Sequence, residues 1–410
     1  MTTDTQPRNS SSGFYTSFSG LRNDVSPERF SPADLAAADN VDLDRSGRAS
    51  RRSGYASVRA GAAHSLWASG ALGLFVAGTQ LNRLNADYTA SLLRSGLTAG
   101  MRMSYVEVSD RVYFSNGVET GIIENGVARS WGLIVPPKPA VTATVGNMPA
   151  GTYQYSTTYF RADGQESGAS PVGVITVPEG TGLVFSVPAS TDPGVVSKGV
   201  YISTSNGEVM YLSLILSNAI TSGSYQNDTG ELNTPLATQF MEPPPAGQLV
   251  SYFRGRMIVA AGDTLYFSEP YAYELFDLRN YMQLDGQVSL LAPMEDKDNA
   301  GAKESGFFVG TDRSCGILAG ATSDDFQYVP KTDYGAVIGA LDYVDGALFA
   351  DDSAGARPLP VWLTTQGLCA GMPSMEVKNL TRTRYTFPAS GRGAALFQSG
   401  PNRFIAVSNY

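Results

Sequence analysis

Short apolar runs that break at a glycine and resume on its far side recur along the chain. Leu74-Phe75-Val76-Ala77-Gly78-Thr79-Gln80-Leu81 is echoed by Met257-Ile258-Val259-Ala260-Ala261-Gly262-Asp263-Thr264-Leu265-Tyr266, and more briefly by Phe307-Phe308-Val309-Gly310-Thr311. Each predicts a buried strand, a tight turn that needs positive φ, and an alternating partner strand. Arg111-Val112-Tyr113-Phe114-Ser115-Asn116-Gly117-Val118 adds an Asn-Gly turn, a strong hairpin signal. Repeating such a unit around a centre hides strand edges that would otherwise be free to pair. The expected fold class is therefore all-β, a β-propeller, although the copies are irregularly spaced.

Between the repeats the pattern changes. Gly151-Thr152-Tyr153-Gln154-Tyr155-Ser156-Thr157-Thr158-Tyr159-Phe160 alternates as a half-buried strand, and Val200-Tyr201-Ile202-Ser203-Thr204 and Met210-Tyr211-Leu212-Ser213 flank a turn at Ser205-Asn206-Gly207. Strands at this spacing predict a small antiparallel sandwich of fibronectin type III pattern. Proline runs at 136–139 and 243–245 bracket it as an insertion, because proline donates no ladder bond and stiffens the chain. The expected organisation is a flexible arm over 1–16, a first part of the propeller over 17–135, the inserted sandwich over 138–246, and the second part over 248–410. Within 17–135, Ser31-Pro32-Ala33-Asp34 predicts a capped short helix over 34–39. Residues 40–44 and 48–52 read as two strands joined at Arg45-Ser46-Gly47. The strand-like end, Arg403-Phe404-Ile405-Ala406-Val407-Ser408, is expected to close the propeller against its N-terminal half.

Composition narrows the function. The chain has 410 residues, 44 Gly, 23 Pro, two cysteines and one histidine. It is long enough for two or three domains and turn-rich. Two distant cysteines exclude a disulfide scaffold and a multi-cysteine zinc site. One histidine leaves little for proton relays, so no reaction, cofactor or metal is expected. No apolar run approaches the ~18 residues of a spanning helix, and the polar start MTTDTQPRNSSSG lacks the apolar core of a secretion signal.

The net charge of −9 is uneven: residues 285–352 hold thirteen acids against four bases, and six bases against Glu376 follow. Such a sector is a solvated face or a surface that repels a polyanion, and it argues against a duplex-gripping protein. Of 29 basic residues 23 are Arg, the cation favoured at interfaces.

Candidate chemistry is sparse. Asp42-Leu43-Asp44-Arg45-Ser46-Gly47 opens like a calcium loop, but position twelve is Ser53 where a bidentate Glu belongs, so a hairpin turn is expected. His64 could act as base for a nearby serine or simply bond a neighbour. Asp324-Asp325 and Asp351-Asp352 could suggest glycoside hydrolysis, but adjacent strand residues face opposite sides. The run Tyr266-Phe267-Ser268-Glu269-Pro270-Tyr271-Ala272-Tyr273-Glu274-Leu275-Phe276 is dense enough for a sugar platform, and equally suits packing between sheets.

The segment GLRNDVSPERFSPADLAAADNVDLDRSGRASRRSGY resembles the opening of tail and virion structural proteins of tailed bacteriophages. FSEPYAYELFDLRNY, with Leu290-Leu291-Ala292-Pro293 and Phe308-Val309-Gly310-Thr311 downstream, is similar to a blade of the same family. The chain most resembles the nozzle (tail tubular protein B-like) proteins of short-tailed phages, though it is shorter than they are. That resemblance implies a homo-oligomeric ring, a hexamer, beneath portal and adaptor, with adaptor and tail fibre proteins as partners. Double-stranded DNA would pass without specific binding, since basic walls would grip it by counterion exchange. On this reading Asp285, Asp298, Asp312, Asp324, Asp325, Asp351 and Asp352 are the channel-lining candidates. Arg45, Arg48, Arg51 and Arg52 are candidates for a subunit or adaptor interface, as are Tyr271, Tyr273 and Phe276. The alternative is a carbohydrate-binding or receptor-binding tail component with those three aromatics as its platform.

Overall fold

The computed structural model describes residues 15–44, 46–70, 72–294, 306–320, 323, 325–349, 357–387 and 391–408. These are all-β, with short 3-10 turns at Pro27–Arg29, Thr229–Glu231 and Gly346–Leu348. They fall into two compact units: Gly61–Pro330, and the residues up to Ala60 together with those from Lys331 onward. The unit boundaries therefore cut both halves of the expected propeller, at 60/61 and at 330/331.

Unit Gly61–Pro330 holds four antiparallel meanders, each of four strands in sequence order. The first comprises His64–Ser69, Leu72–Ala77, Gln80–Leu84 and Ala90–Arg94. The second comprises Ser104–Val108, Arg111–Ser115, Thr120–Glu124 and Val127–Arg129. The third runs through Leu249–Phe253, Arg256–Ala261, Thr264–Glu269 and Ala272–Gln283. The fourth runs through Val288–Met294, Gly306–Thr311, Cys315–Ala319 and Gln327–Pro330. The recurrent apolar runs are the second strands of these sheets; Gly78 and Gly262 take positive φ in the turns that follow, as the pattern predicts, whereas Gly310 lies inside its strand, paired with Leu290 and Cys315, and the turn there follows Thr311. The Asn-Gly signal also marks a hairpin, but Asn116-Gly117 lies in a four-residue connection where Asn116 Oδ1 accepts the N–H groups of Val118 and Glu119.

Stacking of the meanders explains why their second strands are continuously apolar. Val112 and Phe114 face Leu74, Val76 and Leu81 of the first sheet, while Tyr113 faces Met257, Val259 and Phe276 of the third. A strand covered on both faces has no polar side to alternate with. Phe253 and Phe307 stack at 5.2 Å to join the third and fourth sheets. The first strands of successive sheets are neighbours, Ser104–Val108 beside Leu249–Phe253 and that beside Val288–Met294. The Val250 N–H donating to Ser104 Oγ at 3.1 Å is one such link.

Between the second and third meanders lie two further sheets. One has three strands, in the order Ala140–Met148, Thr181–Ser186, Ser222–Tyr225; the other has four, Gly173–Val177, Gly151–Arg161, Val195–Ser203, Met210–Ser217. Tyr153, Tyr155, Leu183, Phe185, Val200 and Ile202 fill the space between them. Lys198 is fully buried and donates to the carbonyls of Val187 and Pro188 at 2.9 and 3.4 Å. The chain enters and leaves this pair of sheets at nearly one point. Gly132, at φ +82°, leaves room for Pro243 and Pro244, which a Cβ there would approach to 3.0 Å. Arg161 and Asp192, 3.6 Å apart, both bond Ser130 at that neck.

The other unit contains a fifth meander, Ala336–Asp345, Pro358–Thr364, Gly367–Gly371 and Val377–Asn379, and the hairpin Gly393–Gln398/Arg403–Ser408. Among the described residues the closing strand pairs with its sequence neighbour and with no N-terminal strand. The expected helix over 34–39 is absent: Asp34–Leu35 is a strand paired in parallel with Gly20–Leu21. Asp34 still accepts the Ser31 N–H at 3.0 Å, the contact the capping signal promised. Its carboxylate is also claimed by Arg22 and Arg384, and the Leu35 carbonyl by the Arg22 N–H, which holds the backbone extended.

Candidate assembly surface

The arginine-rich segment begins in a hairpin, Val41–Leu43 paired with Ala49–Arg51. Asp44 makes its turn. One carboxylate oxygen accepts the Ser46 N–H at 2.8 Å, the Ser46 hydroxyl at 2.6 Å and the Arg48 N–H at 2.9 Å. The Ser46 hydroxyl bond is the leading cause that holds the Asp44 carboxyl below the usual carboxylate range. Only glycine fits at Gly47, because its φ is +79° and a Cβ would sit 2.4 Å from the Phe18 carbonyl oxygen. The calcium-like sequence is thus a hairpin turn, and no metal-holding cluster occurs among the described residues.

One face of the hairpin is anchored. Asp42 receives Arg403 at 3.0 Å and Arg52 at 3.4 Å. The other side is open. From Arg48 to Ala60 every residue is exposed, including Tyr55 at 83% and Val58 at 64%. Among the described residues, the Arg48 and Arg51 guanidinium groups form no hydrogen bond or ion pair, although the charge of Arg48 lies near Asp44. A bare connector needs only Gly and Ser for flexibility. This strap instead carries Arg48, Arg51, Arg52 and Arg59 with no acidic residue. Arg45 lies outside the described residues.

The acidic candidates are dispersed. Asp285 and Asp312 are exposed at one end of the fourth sheet, where Asp312 accepts the Gln287 N–H at 2.9 Å. Asp325 is exposed at the other end, since it follows strand Cys315–Ala319 whereas Asp312 precedes it. Asp298, Asp324, Asp351 and Asp352 lie outside the described residues. The sector 285–352 is divided between the two units.

The aromatic run is mostly interior. Phe276 is fully buried, edge-on to Trp131 at 6.1 Å, and Tyr273 packs edge-on to Tyr252 at 5.7 Å and Tyr113 at 6.1 Å. Burial, aided by the nearby Glu274 charge, pushes the Tyr113 phenol up to about 12. Only Tyr271 of the three presents its ring to solvent, at 78% exposure and φ +58°. Sequence reasoning passed over Phe240, 57% exposed with Arg279 stacked 4.3 Å above its ring. Its signal was weak, a lone aromatic beside a proline run.

His64 Nδ1 lies 2.9 Å from the Ser65 hydroxyl, which also accepts the Met103 N–H at 2.8 Å. Burial lowers the His64 pKa, and Nε2 has no hydrogen-bond partner. A Ser-His-acid relay would need a carboxylate there. An open groove of about 390 Å³ between the first and second sheets contains Ser69, Arg83, Glu107 and Asp110.

No protein-family model matches the chain, and no curated protein sequence does. No helix among the described residues is long and apolar enough to cross a membrane. Among solved structures, the chain is similar to the extracellular domain described as that of a one component system from B. thetaiotaomicron. The identity is 10% and the TM-score 0.33, over 88% of this chain and 44% of that one. It is also similar to apo AztD from Citrobacter koseri, at 11% identity and TM-score 0.28, over 84% of this chain and 89% of that one. Puromycin hydrolase matches at 12% identity and TM-score 0.20, over 85% of this chain and 58% of that one.

Proposed function

We propose that this chain is a structural protein of a bacteriophage virion: a tail nozzle component that assembles as a hexameric ring beneath portal and adaptor and forms the passage for the ejected genome. The observation that carries the reading is the strap from Arg48 to Ala60, which is arginine-rich, exposed throughout and free of regular structure beyond Arg51. Ordering backbone costs about 1–2 kcal/mol per residue, and a segment that stays exposed beyond its hairpin pairing recovers that cost against another chain.

The architecture supports the reading as well. We infer a β-propeller body interrupted by a fibronectin III-like sandwich. Four-stranded meanders with adjacent first strands are blade-like, and the family resembled combines a propeller with inserted β-domains. Such a protein has no reaction of its own. Its partners are further copies, the adaptor and tail fibre proteins, and it resides in the virion tail.

Cryo-electron microscopy of whole virions tests this. A ring on the tail axis beneath the adaptor supports it; density at the tail periphery, or none, discards it. One observation favours a second reading, a receptor-binding or carbohydrate-binding tail component: Tyr271 is a bulky, exposed residue at positive φ, a strain that collects at binding sites. Glycan binding by the isolated chain that is lost in Tyr271→Ala would support that alternative.

A further inference from the structure

We propose that the arginine strap of one copy docks on a row of carboxylate turns of a second copy of this chain. It rests on the reading of the chain as an assembling protein and names the two surfaces that meet. The row lies at one end of the third and fourth sheets. The Leu284 N–H donates to the Asp263 carbonyl at 2.8 Å, Val288 N–H to the Gly262 carbonyl at 3.0 Å, and Gln287 N–H to Asp312 Oδ1 at 2.9 Å. Those bonds stitch the turns of Asp263, Asp285 and Asp312 side by side.

Among the described residues, none of these three carboxylates is paired with a cation. Asp263 accepts from Thr264 Oγ1 at 2.9 Å and Gln283 Nε2 at 3.0 Å, and Asp285 from Thr311 Oγ1 at 3.5 Å. Asp312 bonds a backbone N–H. Arg313, beside them, forms no ion pair with them. The strap presents the complement. Among the described residues the Arg48 and Arg51 side chains are likewise unpaired, and both stand exposed at the hairpin strand Ala49–Arg51, where the strap begins. Two copies at −9 each repel overall, so association is favoured where the local signs oppose.

The test is light scattering of the full chain at matched concentration, with strap reversals Arg48→Glu/Arg51→Glu, turn reversals Asp285→Arg/Asp312→Arg, and all four together. Each pair of reversals should cut the assembled fraction at least about tenfold, the combination should restore most of it, and high salt should act like either pair. Thermal melting of the strap variant should match the parent, because both side chains are exposed. Assembly unchanged by strap reversal overturns the contact and leaves the assembly reading standing. A chain monomeric in every condition overturns both. Strap reversal that abolishes binding to a double-stranded oligonucleotide, with assembly intact, also overturns it and makes the strap a nucleic-acid site.

Discussion

Asp34 and Arg384 stand 350 positions apart in the chain and meet at 2.6 Å. The Asp34 side chain is 2% exposed and receives Arg22 at 3.1 Å on its other side. Asn23 completes the clasp: its Nδ2 donates to the Thr386 carbonyl and its Oδ1 accepts the Thr386 N–H, both at 2.8 Å. The early and late parts of one unit are thus joined by side chains and by the Asn23 N–H donating to the Arg384 carbonyl at 2.9 Å, with no strand shared between them among the described residues.

Acid should open this clasp. Burial by itself raises the Asp34 carboxyl, but hydrogen bonds from Arg22 and the Ser31 N–H outweigh it and the net shift is downward. A depressed carboxyl contributes stability above its unfolded pKa of about 3.9, lost as pH falls through the folded value. Asp34→Asn should lower the thermal midpoint at neutral pH, and the gap from wild type should close in strong acid. A gap independent of pH would count against the clasp.

Glu274 should behave in the opposite sense. Burial raises its carboxyl above the ordinary range even though Arg111 lies 3.7 Å away. The unfolded chain then deprotonates first, so Glu274 withdraws stability as pH rises from about 4.3 through the folded pKa, and the deficit persists above it. Relative to wild type, Glu274→Gln should gain in urea midpoint between about pH 4 and pH 7. A constant difference across that range would contradict this.

Core and surface aromatics should separate cleanly. Phe276→Ala empties a fully buried site between two sheets and should cost about 3–5 kcal/mol in chemical denaturation. Tyr271→Ala should stay within about 0.5 kcal/mol, as exposed positions do. Equal losses would mean that Tyr271 packs more than its exposure implies.

Both cysteines should be silent in the folded protein. Cys315 and Cys369 are buried and outside any disulfide, and burial raises the Cys369 thiol despite Thr364 and Tyr334 beside it. An aromatic disulfide reagent should label neither until denaturant is added, then two per chain. Labelling under native conditions would reveal local opening at one of these strands.

The strand repeat was legible because burial on both faces leaves a local signature, sharpened by the glycine turns at Gly78 and Gly262. The fifth meander escaped it. There the turn after Leu363 is built by Thr364, whose hydroxyl accepts the Gln366 N–H at 3.2 Å and donates to the Gly367 carbonyl at 2.7 Å, so no glycine directly follows the strand. Ser31-Pro32 misled because a capping contact forms whether or not a helix continues, and tertiary partners of Asp34 decided the backbone. Tyr273 and Phe276 misled because a dense aromatic run looks the same as platform or as core. The strap was visible as arginines, but that its neighbours leave it uncovered is a property of packing, not of composition.

The neck at Gly132, where the chain leaves for the two-sheet insert and returns beside it at Pro243 and Pro244, bears on the order of assembly during synthesis. The third meander must find the second across an intervening stretch that, unfolded, would have to close as one long loop. Once the insert has folded, its adjacent ends already hold the two meanders at contact distance, and Trp131 meets the Tyr273 carbonyl at 2.9 Å without a search. A folded insert thereby shortens the effective separation across the seam it interrupts, and the physics of contact order favours such a nearly local pairing over a distant one.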